Sequence, residues 1–527
     1  VFNKKIIIGS RGSDLALWQA NHVKDRFTHA GFDCSITIIK TQGDKIQHLS
    51  FDKLEGKGFF TKELEEALLS GSIDLAVHSH KDLPTTSPEK LCIAAVSERE
   101  DPAEILLIHK SAVDEKQAWN LKKNAHVGTS SARRKTQLHA YRNDLSISDL
   151  RGNVPTRIQK LRDGQYDAIM LAAAGVERLQ INLDEFVVEK LDPKIFVPAP
   201  AQGVLALQTR ESDTELIEAL QIIHQKEVAE KIGIERKVLN LFDGGCQLPL
   251  GVYCEKGFDE EENTIFKVWV SKAPDALKAP IYTYYEKHET AEFAQEIVAH
   301  LKAIKPCKIF ITRNLQTHHL FSSSLISQGF EVHGISLITF NPIPLKNMPQ
   351  TDWIFFSSKH AVENFFKQKP VLVNQKYGAI GKSTADAIRK FGKRAEFIGQ
   401  STDTKTIGKQ FAARAGNGTV LFPVAKGSMR SVQSQFVKKD QTFDVNVYET
   451  IEHSDTQLPE AEILIFTSPS NVNAFFKSNK VEAHHKIIAM GGATEAELRK
   501  HGVRKCTLPH SFDDLGILQA VYKLAIH

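Results

Sequence analysis

The chain has 527 residues, enough for about three to five domains at roughly 150 residues each. Its 67 Lys and Arg nearly balance 63 Asp and Glu, leaving +4, so the whole chain is neither a basic nucleic-acid coat nor an acidic solvating tail. Hydrophobic residues make up 42% and charged residues 25%, and no apolar run reaches the roughly 18 residues of a membrane helix. The opening residues up to Gly9 read as a first strand rather than a signal peptide. Six cysteines at 34, 92, 246, 254, 307 and 506 form no CxxC pair, which points away from a zinc site or disulfide framework and toward free thiols in the cytosol.

Strand and helix signals alternate over the first 200 residues, the pattern of an α/β fold. Ile36–Ile39 and Asp74–Val77 read as strands, and Leu64, Ala67 and Leu68 fall at helical spacing between Thr61 and Leu69. The pattern breaks near Arg99–Pro102 and again at Val197–Pro200, where two prolines exclude regular helix. A third segment, about 220–303, has a helix over Glu227–Leu241, a turn at Asp243–Gly245, strands at Thr264–Val270 and Ile281–Tyr285, and a helix over Glu289–Leu301. Lys305-Pro306 reads as a linker into another α/β pattern starting at Lys308. That last part contains an internal repeat: Phe356–Phe366 matches Phe466–Phe476, and the offset of 110 also pairs Gly381 with Gly491, Thr384 with Thr494 and Gly392 with Gly502. A constant register argues for two duplicated lobes, since shared strand–turn–helix grammar alone does not fix it.

Charge is concentrated locally. From Ser130 to Arg162 eight basic residues, Arg133, Arg134, Lys135, Arg142, Arg151, Arg157, Lys160 and Arg162, face only Asp144 and Asp149, a local +6. The turn Gly128-Thr129-Ser130-Ser131 before Arg133 and Arg134 aims backbone N–H groups and hydroxyls at an anion, and Leu150–Arg157 repeats the idea. Arginine forks suit carboxylate or phosphate, and without interleaved aromatics a small polyanion fits better than nucleic acid. Val77–Pro84 ends an apolar strand with His78, Ser79, His80, Lys81 and Asp82, and the C-terminal end of a strand is where α/β folds place ligands. Asp82 is read either as a loop cap or as a carboxylate that handles protons. Arg11 and Ser13 stand at the start of the first helix. Cys246, in Asp243–Gly251, sits in a Gly/Pro-flanked loop that favours exposure and covalent chemistry over the usual buried thiol.

In chain order, Arg11-x-Ser13-x-Leu15–Ala20, Gly56-Lys57-Gly58-x-Phe60, His78-Ser79-x-Lys81-Asp82-x-Pro84, Gly128–Ser131-x-Arg133-Arg134, Leu150–Asn153-x-x-Thr156-Arg157 and Gly244–Gln247-x-Pro249-x-Gly251 resemble porphobilinogen deaminase (hydroxymethylbilane synthase) over about residues 4–303. Residues 305–527 resemble uroporphyrinogen-III synthase, through the duplicated Ser-rich and Gly-x-x-Thr turns and Val447-Tyr448-Glu449-Thr450. The first family makes the linear tetrapyrrole that the second consumes, and the two stand in that order here.

The resemblance implies a bifunctional tetrapyrrole (haem) biosynthesis enzyme, a transferase followed by a lyase. It implies three α/β domains in the deaminase part: two lobes like periplasmic binding proteins, 1–102 with 203–218 and 106–197, and a small α+β domain at 220–303. A two-lobed synthase part follows at 305–527, with lobes about 307–338 plus 450–527 and 340–447. The implied cofactor is a dipyrromethane in thioether linkage to Cys246, held by Arg133, Arg134, Ser131, Lys81 and Asp82, with no metal. Asp82 and Lys81 become the catalytic residues, Asp82 stabilising a cationic azafulvene and moving pyrrole protons. Substrate binding falls to Arg11, Ser13, Lys57, Phe60, Ser79, Thr129, Ser130, Arg151, Arg157, Arg178 and Gln202, the arginines taking the carboxylates. In the synthase part Tyr448 is the catalytic candidate, and Thr384, Ser468, Lys486 and Thr494 match positions facing the cleft. Partners are porphobilinogen and hydroxymethylbilane, with neither nucleic acid nor membrane, and a monomer is expected. Gln42 departs from the family's usual Arg and removes one anion contact, while His80 replaces a common Met and adds a titratable group near Asp82. The competing class is a solute receptor, since two α/β lobes around an anion cleft also describe periplasmic binding proteins. A receptor predicts no covalent cofactor.

Overall fold

The computed structural model describes residues 5–41, 61–243, 248–259, 261–315, 320–346, 348–401, 403–453 and 458–526. Gln42, Lys57, Phe60 and Cys246 therefore lie outside the described residues. The chain divides into two compact units: Val1–Lys305 with His318–Gln328 and Ala525–His527, and Pro306–Thr317 with Gly329–Leu524. Among the described residues no helix is long and apolar enough to cross a membrane.

In the first unit, β1 (Ile6–Ser10), β2 (Cys34–Ile38), β3 (Leu75–Ser79) and β4 (Leu91–Val96) precede a crossing to β5 (Glu104–His109), β6 (His126–Gly128), β7 (Ser146–Ser148), β8 (Ala168–Ala172) and β9 (Phe186–Leu191). The chain then returns as β10 (Leu205–Arg210). Two five-stranded sheets result, β2-β1-β3-β10-β4 and β7-β6-β8-β5-β9. In each, three parallel strands are followed by one antiparallel strand that has arrived from the other sheet. The β-branched run Ile6–Ile8 suits β1, flanked by parallel neighbours and packed on Ala20, Val23 and Phe27 of the helix Asp14–His29. Leu106, Ile108, Val127, Leu138 and Met170 form the matching core of the second sheet.

The two crossing segments approach closely at Gly203. Its φ of 90° lies in the left-handed region, and a Cβ there would stand 2.4 Å from the Glu100 carbonyl oxygen, so only glycine fits. A small third body follows: the helix Lys226–Leu241, the antiparallel strands β11 (Leu250–Phe258), β12 (Thr264–Lys272) and β13 (Ile281–Lys287), and the helix Phe293–Ala303. That last helix starts four residues later than the sequence suggests, because Glu292 adopts φ 60° and breaks the turn before it. The helix Leu320–Ser327 groups with this unit, where Gln328 Nε2 donates to the Ala279 carbonyl at 2.6 Å.

The second unit holds β14 (Lys308–Ile311), β15 (Glu331–Gly334), β16 (Ile338–Pro342), β17 (Trp353–Phe356), β18 (Lys376–Ala379), β19 (Ala395–Ile398), β20 (Val420–Ala425), β21 (Thr442–Glu452), β22 (Ile463–Phe466) and β23 (Lys486–Ala489). They form a parallel sheet β15-β14-β22-β23 and a six-stranded sheet β16-β21-β20-β17-β18-β19. Among the described strands of this unit only β16 and β21 pair antiparallel, from Ile338↔Glu452 to Pro342↔Tyr448. β17 and β22 each lead through a serine N-cap into a helix, Lys359–Phe366 and Pro469–Phe476. β18 and β23 each lead through glycine into Lys382–Lys390 and Gly492–Lys500.

Candidate active site

The parallel strands of both sheets in the first unit end in turns that carry the polar residues. β3 runs into a single 3-10 turn, His80–Asp82. Lys81 Nζ donates to Gln202 Oε1 at 3.2 Å, and Gln202 Nε2 donates to the Pro102 carbonyl at 2.8 Å. Burial pushes the Lys81 ammonium down, Asp82 opposes that, and the charges of Arg134, Glu104 and Arg133 also reach it. Asp82 is on the exposed side of the turn.

The centre of the site is a carboxylate in an apolar strand. Glu104, the first residue of β5, is fully buried. Its Oε1 accepts from Arg133 Nη2 at 2.5 Å and its Oε2 from Arg134 Nη2 at 2.6 Å. Burial alone would raise its pKa, but the guanidiniums of Arg134 and Arg133 overcome this and hold it at about 2. Both arginines lie in the first turn of the helix Ala132–Tyr141. Arg133 Nη1 also donates to the Val197 carbonyl at 2.9 Å and Arg134 Nη1 to that of Met170 at 3.2 Å. Arg134 Nε is buried without an acceptor among the described residues. Two guanidiniums on one carboxylate leave a fixed positive charge at a helix N-terminus, where an anion is favoured. Arg157 adds to it: its pKa is pushed down by burial and by Arg134 and Arg151, with Asp82 opposing.

In the second unit two serines follow the C-terminal ends of the parallel strands β17 and β22. Ser358 Oγ accepts from the Ala361 N–H at 3.1 Å, and Ser468 Oγ from the Asn471 N–H at 3.3 Å. Tyr448, on β21 between β16 and β20, is buried, pairs across from Pro342 on one side and Ala425 on the other, and has its hydroxyl 3.4 Å from Ser358 Oγ. Burial raises its phenol pKa. Thr384 and Thr494 are buried in the first turns of their helices.

The family model described as porphobilinogen deaminase, dipyromethane cofactor binding domain, matches residues 6–218. A porphobilinogen deaminase from Maridesulfovibrio salexigens is 44% identical over 265 residues, covering 50% of this chain and 84% of that protein. One from Fusobacterium nucleatum is 45% identical over 261 residues, covering 49% and 85%. The chain belongs to the porphobilinogen deaminase family. Farther along, the family model described as uroporphyrinogen-III synthase HemD matches residues 320–519, so one polypeptide carries a deaminase domain and a synthase domain of haem biosynthesis. A uroporphyrinogen-III synthetase crystal structure from Helicobacter pylori aligns at 18% identity and TM-score 0.31, over 41% of this chain and 97% of that one.

Several expected ligand groups of the deaminase part are already engaged by the protein. Gln202 is fully buried, and its side chain joins Lys81 Nζ to the Pro102 carbonyl. Arg133 lies behind Arg134, on Glu104 and Val197. Ser79 Oγ accepts from Gln19 Nε2 at 2.8 Å, and Ser130 Oγ donates to the Leu150 carbonyl at 2.9 Å. Ser13 caps its helix, accepting from the Ala16 N–H at 3.4 Å, and Thr129 Oγ1 accepts from the Ser131 N–H at 3.3 Å. Arg11 lies close enough to His78 for its charge to bear on that ring. Arg151 lies beside Arg157, 4.0 Å from Asp149. Ser131 makes no capping hydrogen bond through its side chain. Arg178 is set at the crossing, where Nη2 donates to the Gly203 carbonyl at 2.8 Å and the guanidinium lies 5.7 Å from the Trp18 ring centre. His80 is buried, and burial with Arg236 nearby keeps its ring neutral, so it gives Asp82 no titratable neighbour.

In the synthase part Lys486 is the first residue of β23, the end away from Ser468 and Thr494. Its Nζ donates to the Leu524 carbonyl at 2.8 Å, at a helix C-terminus. Sequence reasoning missed Glu104, whose signal is a charged residue opening an apolar strand while a basic cluster lacks counter-charge. It also missed Ser358, which the 110-residue register marks as the counterpart of Ser468.

Proposed function

We propose that the deaminase part condenses four porphobilinogen molecules head to tail, releasing ammonia at each condensation, and frees hydroxymethylbilane by adding water. The observation that carries this reading is the paired charge at the strand ends: Asp82 on an exposed turn, within reach of the charge of Arg157, and Arg134, which Glu104 holds beside Arg157. Each pyrrole brings an acetate and a propionate, which guanidinium forks bind bidentately. Loss of ammonia leaves positive charge on the substrate. Asp82 stabilises that charge and moves the protons, while Lys81, held by Gln202, keeps the turn in register.

The residues fit a dipyrromethane, whose acidic side chains need donors: Arg134 has an unsatisfied Nε and the Ser131 hydroxyl is not engaged in capping. When bound, this group supplies the pyrrole end to which the first substrate is joined. We place its thioether on Cys246, on the strength of the Gly-Gly-Cys-Gln segment. In the synthase part we read two duplicated lobes, supported by strands and helices recurring at the 110-residue offset. Hydroxymethylbilane is held between them and closes with inversion of its last ring and loss of water. Tyr448 donates to the departing hydroxyl. The scattered cysteines support a cytosolic setting, and we take the enzyme to act as a monomer on these small molecules.

The intact protein fed porphobilinogen alone should yield uroporphyrinogen III, whereas a fragment ending near Ala303 should release hydroxymethylbilane that closes to isomer I. Chromatographic isomer analysis decides it. Only isomer I from the intact chain would overturn the synthase reading, and an unmodified Cys246 peptide in fully active enzyme would overturn the attachment.

A further inference from the structure

Where β3 ends, its backbone carbonyls lose their ladder partners, and the turn that follows must find others. The His80 N–H donates to the Val204 carbonyl at 2.9 Å and the Leu83 N–H to that of His80 at 3.3 Å. The outward carbonyls converge on one side chain. Arg236 Nη1 donates to the His80 carbonyl at 2.9 Å, and Nη2 to those of Leu83 at 3.3 Å and Pro84 at 2.5 Å. One half-buried guanidinium thus clasps the backbone on both sides of Lys81 and Asp82. A planar fork with several donors is suited to this, because it fixes three acceptors in one plane.

The origin of Arg236 matters as much as its targets. It stands on the helix Lys226–Leu241 of the third body, the helix that leads by chain into the segment carrying Cys246. Its neighbour Glu235 anchors the same helix. Glu235 is fully buried, takes Arg99 Nη1 at 2.7 Å and Nη2 at 3.2 Å, and accepts from the N–H groups of Ala201 at 2.7 Å and Cys254 at 2.8 Å. The helix is therefore fixed against the crossing segments by one residue and holds the Asp82 turn with the next.

We propose that Arg236 is a positioning residue for Asp82, holding the His80–Pro84 backbone so that the carboxylate meets the reacting pyrrole. The inference rests on Asp82 as the acid–base residue. A misplacement of about 1 Å is enough to cost on the order of 10²-fold in rate, so releasing three anchors of a single-turn element acts on the chemical step more than on substrate capture.

The test uses the full-length, cofactor-loaded protein as Arg236→Leu, Arg236→Lys, Asp82→Asn and the Asp82→Asn/Arg236→Leu double variant. Arg236→Leu is expected to lower kcat at least about tenfold while KM for porphobilinogen moves less than about threefold. Arg236→Lys, which keeps the charge and fewer donors, should recover part of that loss. On the Asp82→Asn background Arg236→Leu should cost less than about twofold, because both changes remove one function. Equal losses in both backgrounds, or a kcat for Arg236→Leu within about twofold of the native enzyme, would overturn the inference. If Arg236→Leu does not fold, Arg236→Lys takes its place in the same cycle, with the same two outcomes. Near-native turnover by Asp82→Asn would instead bring down the Asp82 reading, and this inference with it.

Discussion

The two units bury different chemistry. In the first, Asp74, Glu104, Arg133, Arg134, Arg142, Arg178 and Glu235 are all buried. Among the described residues of the second, no Asp, Glu, Lys or Arg is, and the buried polar groups are Thr312, Thr351, Thr384, Gln441, Asn471, Thr494 and Gln519. The contrast follows the proposed reactions. A growing chain that gains two carboxylates per ring, while positive charge appears and disappears beside it, needs fixed charges held against reorganisation. A ring closure that loses one hydroxyl needs shape and a hydrogen-bond donor. Buried charge is costly unless paired, so the first unit ties each fork to a carboxylate or to backbone carbonyls, and the second avoids the cost.

The sharpest way to break this contrast is to remove the pairing carboxylate. Glu104→Gln leaves Arg133 and Arg134 buried together without counter-charge, and should destabilise the first unit by about 3–5 kcal/mol in denaturant unfolding. The pH dependence gives a second readout. The folded pKa of Glu104, about 2, lies below its ordinary 4.5. Its stabilisation is therefore full above about 4.5 and drains away as pH falls toward about 2. Native protein should lose that contribution across this window and Glu104→Gln should not. Equal acid sensitivity in the two would show that the pair is not tuned as described.

Asp82→Asn keeps the shape of the turn and removes the charge. Turnover should fall at least about 10²-fold, with folding and cofactor attachment intact. Near-normal turnover would refute its role. Arg157→Leu removes a guanidinium whose charge reaches Asp82, and a lost charge-assisted bond costs about 1.5–3 kcal/mol. Condensation should stall at intermediates, visible by mass as enzyme carrying partly grown chains. Unchanged rate and product length would remove Arg157 from the site.

How much of this was legible in the sequence depends on the range of the interaction. Local patterning was: the helices expected over Thr61–Leu69 and Glu227–Leu241 form at Lys62–Leu69 and Lys226–Leu241, while Ser13 and Ser468, read as ligand groups, cap helices because a short hydroxyl side chain reaches the N–H groups of the next turn. The basic run between Ser130 and Arg162 was legible as a candidate anion site. What pairs with it did not show, because Glu104 stands 29 residues before Arg133 in a different strand, and only the sheet order brings β5 next to β8. Periodicity assigns a residue to a face but not to an end of a strand, so Lys486 shares the 110-residue register yet falls at the wrong end of β23. Gln202 and Arg178 are ligand candidates only through the resemblance. They lie where two crossing segments meet: Arg178 donates to the Gly203 carbonyl, and Gln202 links Lys81 Nζ to the Pro102 carbonyl.

The smallest effect is expected in the second unit, and it tests whether a site without buried charge acts through a single hydroxyl. Tyr448 packs edge-on against Phe340, ring centres 5.1 Å apart, within an apolar cluster, so Tyr448→Phe preserves the packing. What disappears is one donor, loosely engaged with Ser358 at 3.4 Å and therefore available to another acceptor. Loss of such a bond is worth about 0.5–1.5 kcal/mol, at most about tenfold in rate. Ring inversion requires the last pyrrole to be attacked at a carbon that already bears a substituent, with the chain held folded as the hydroxyl leaves. Free in water, attack at the unsubstituted carbon meets less steric resistance and gives isomer I. Slowing the assisted departure lets more hydroxymethylbilane close unaided, so Tyr448→Phe should raise the isomer I fraction while porphobilinogen is consumed at the native rate. The same isomer ratio as native would exclude the phenol from the reaction. Slower porphobilinogen consumption would mean that the substitution acts on the deaminase step, and would end the separation between the ionic site and the hydroxyl site on which the comparison rests.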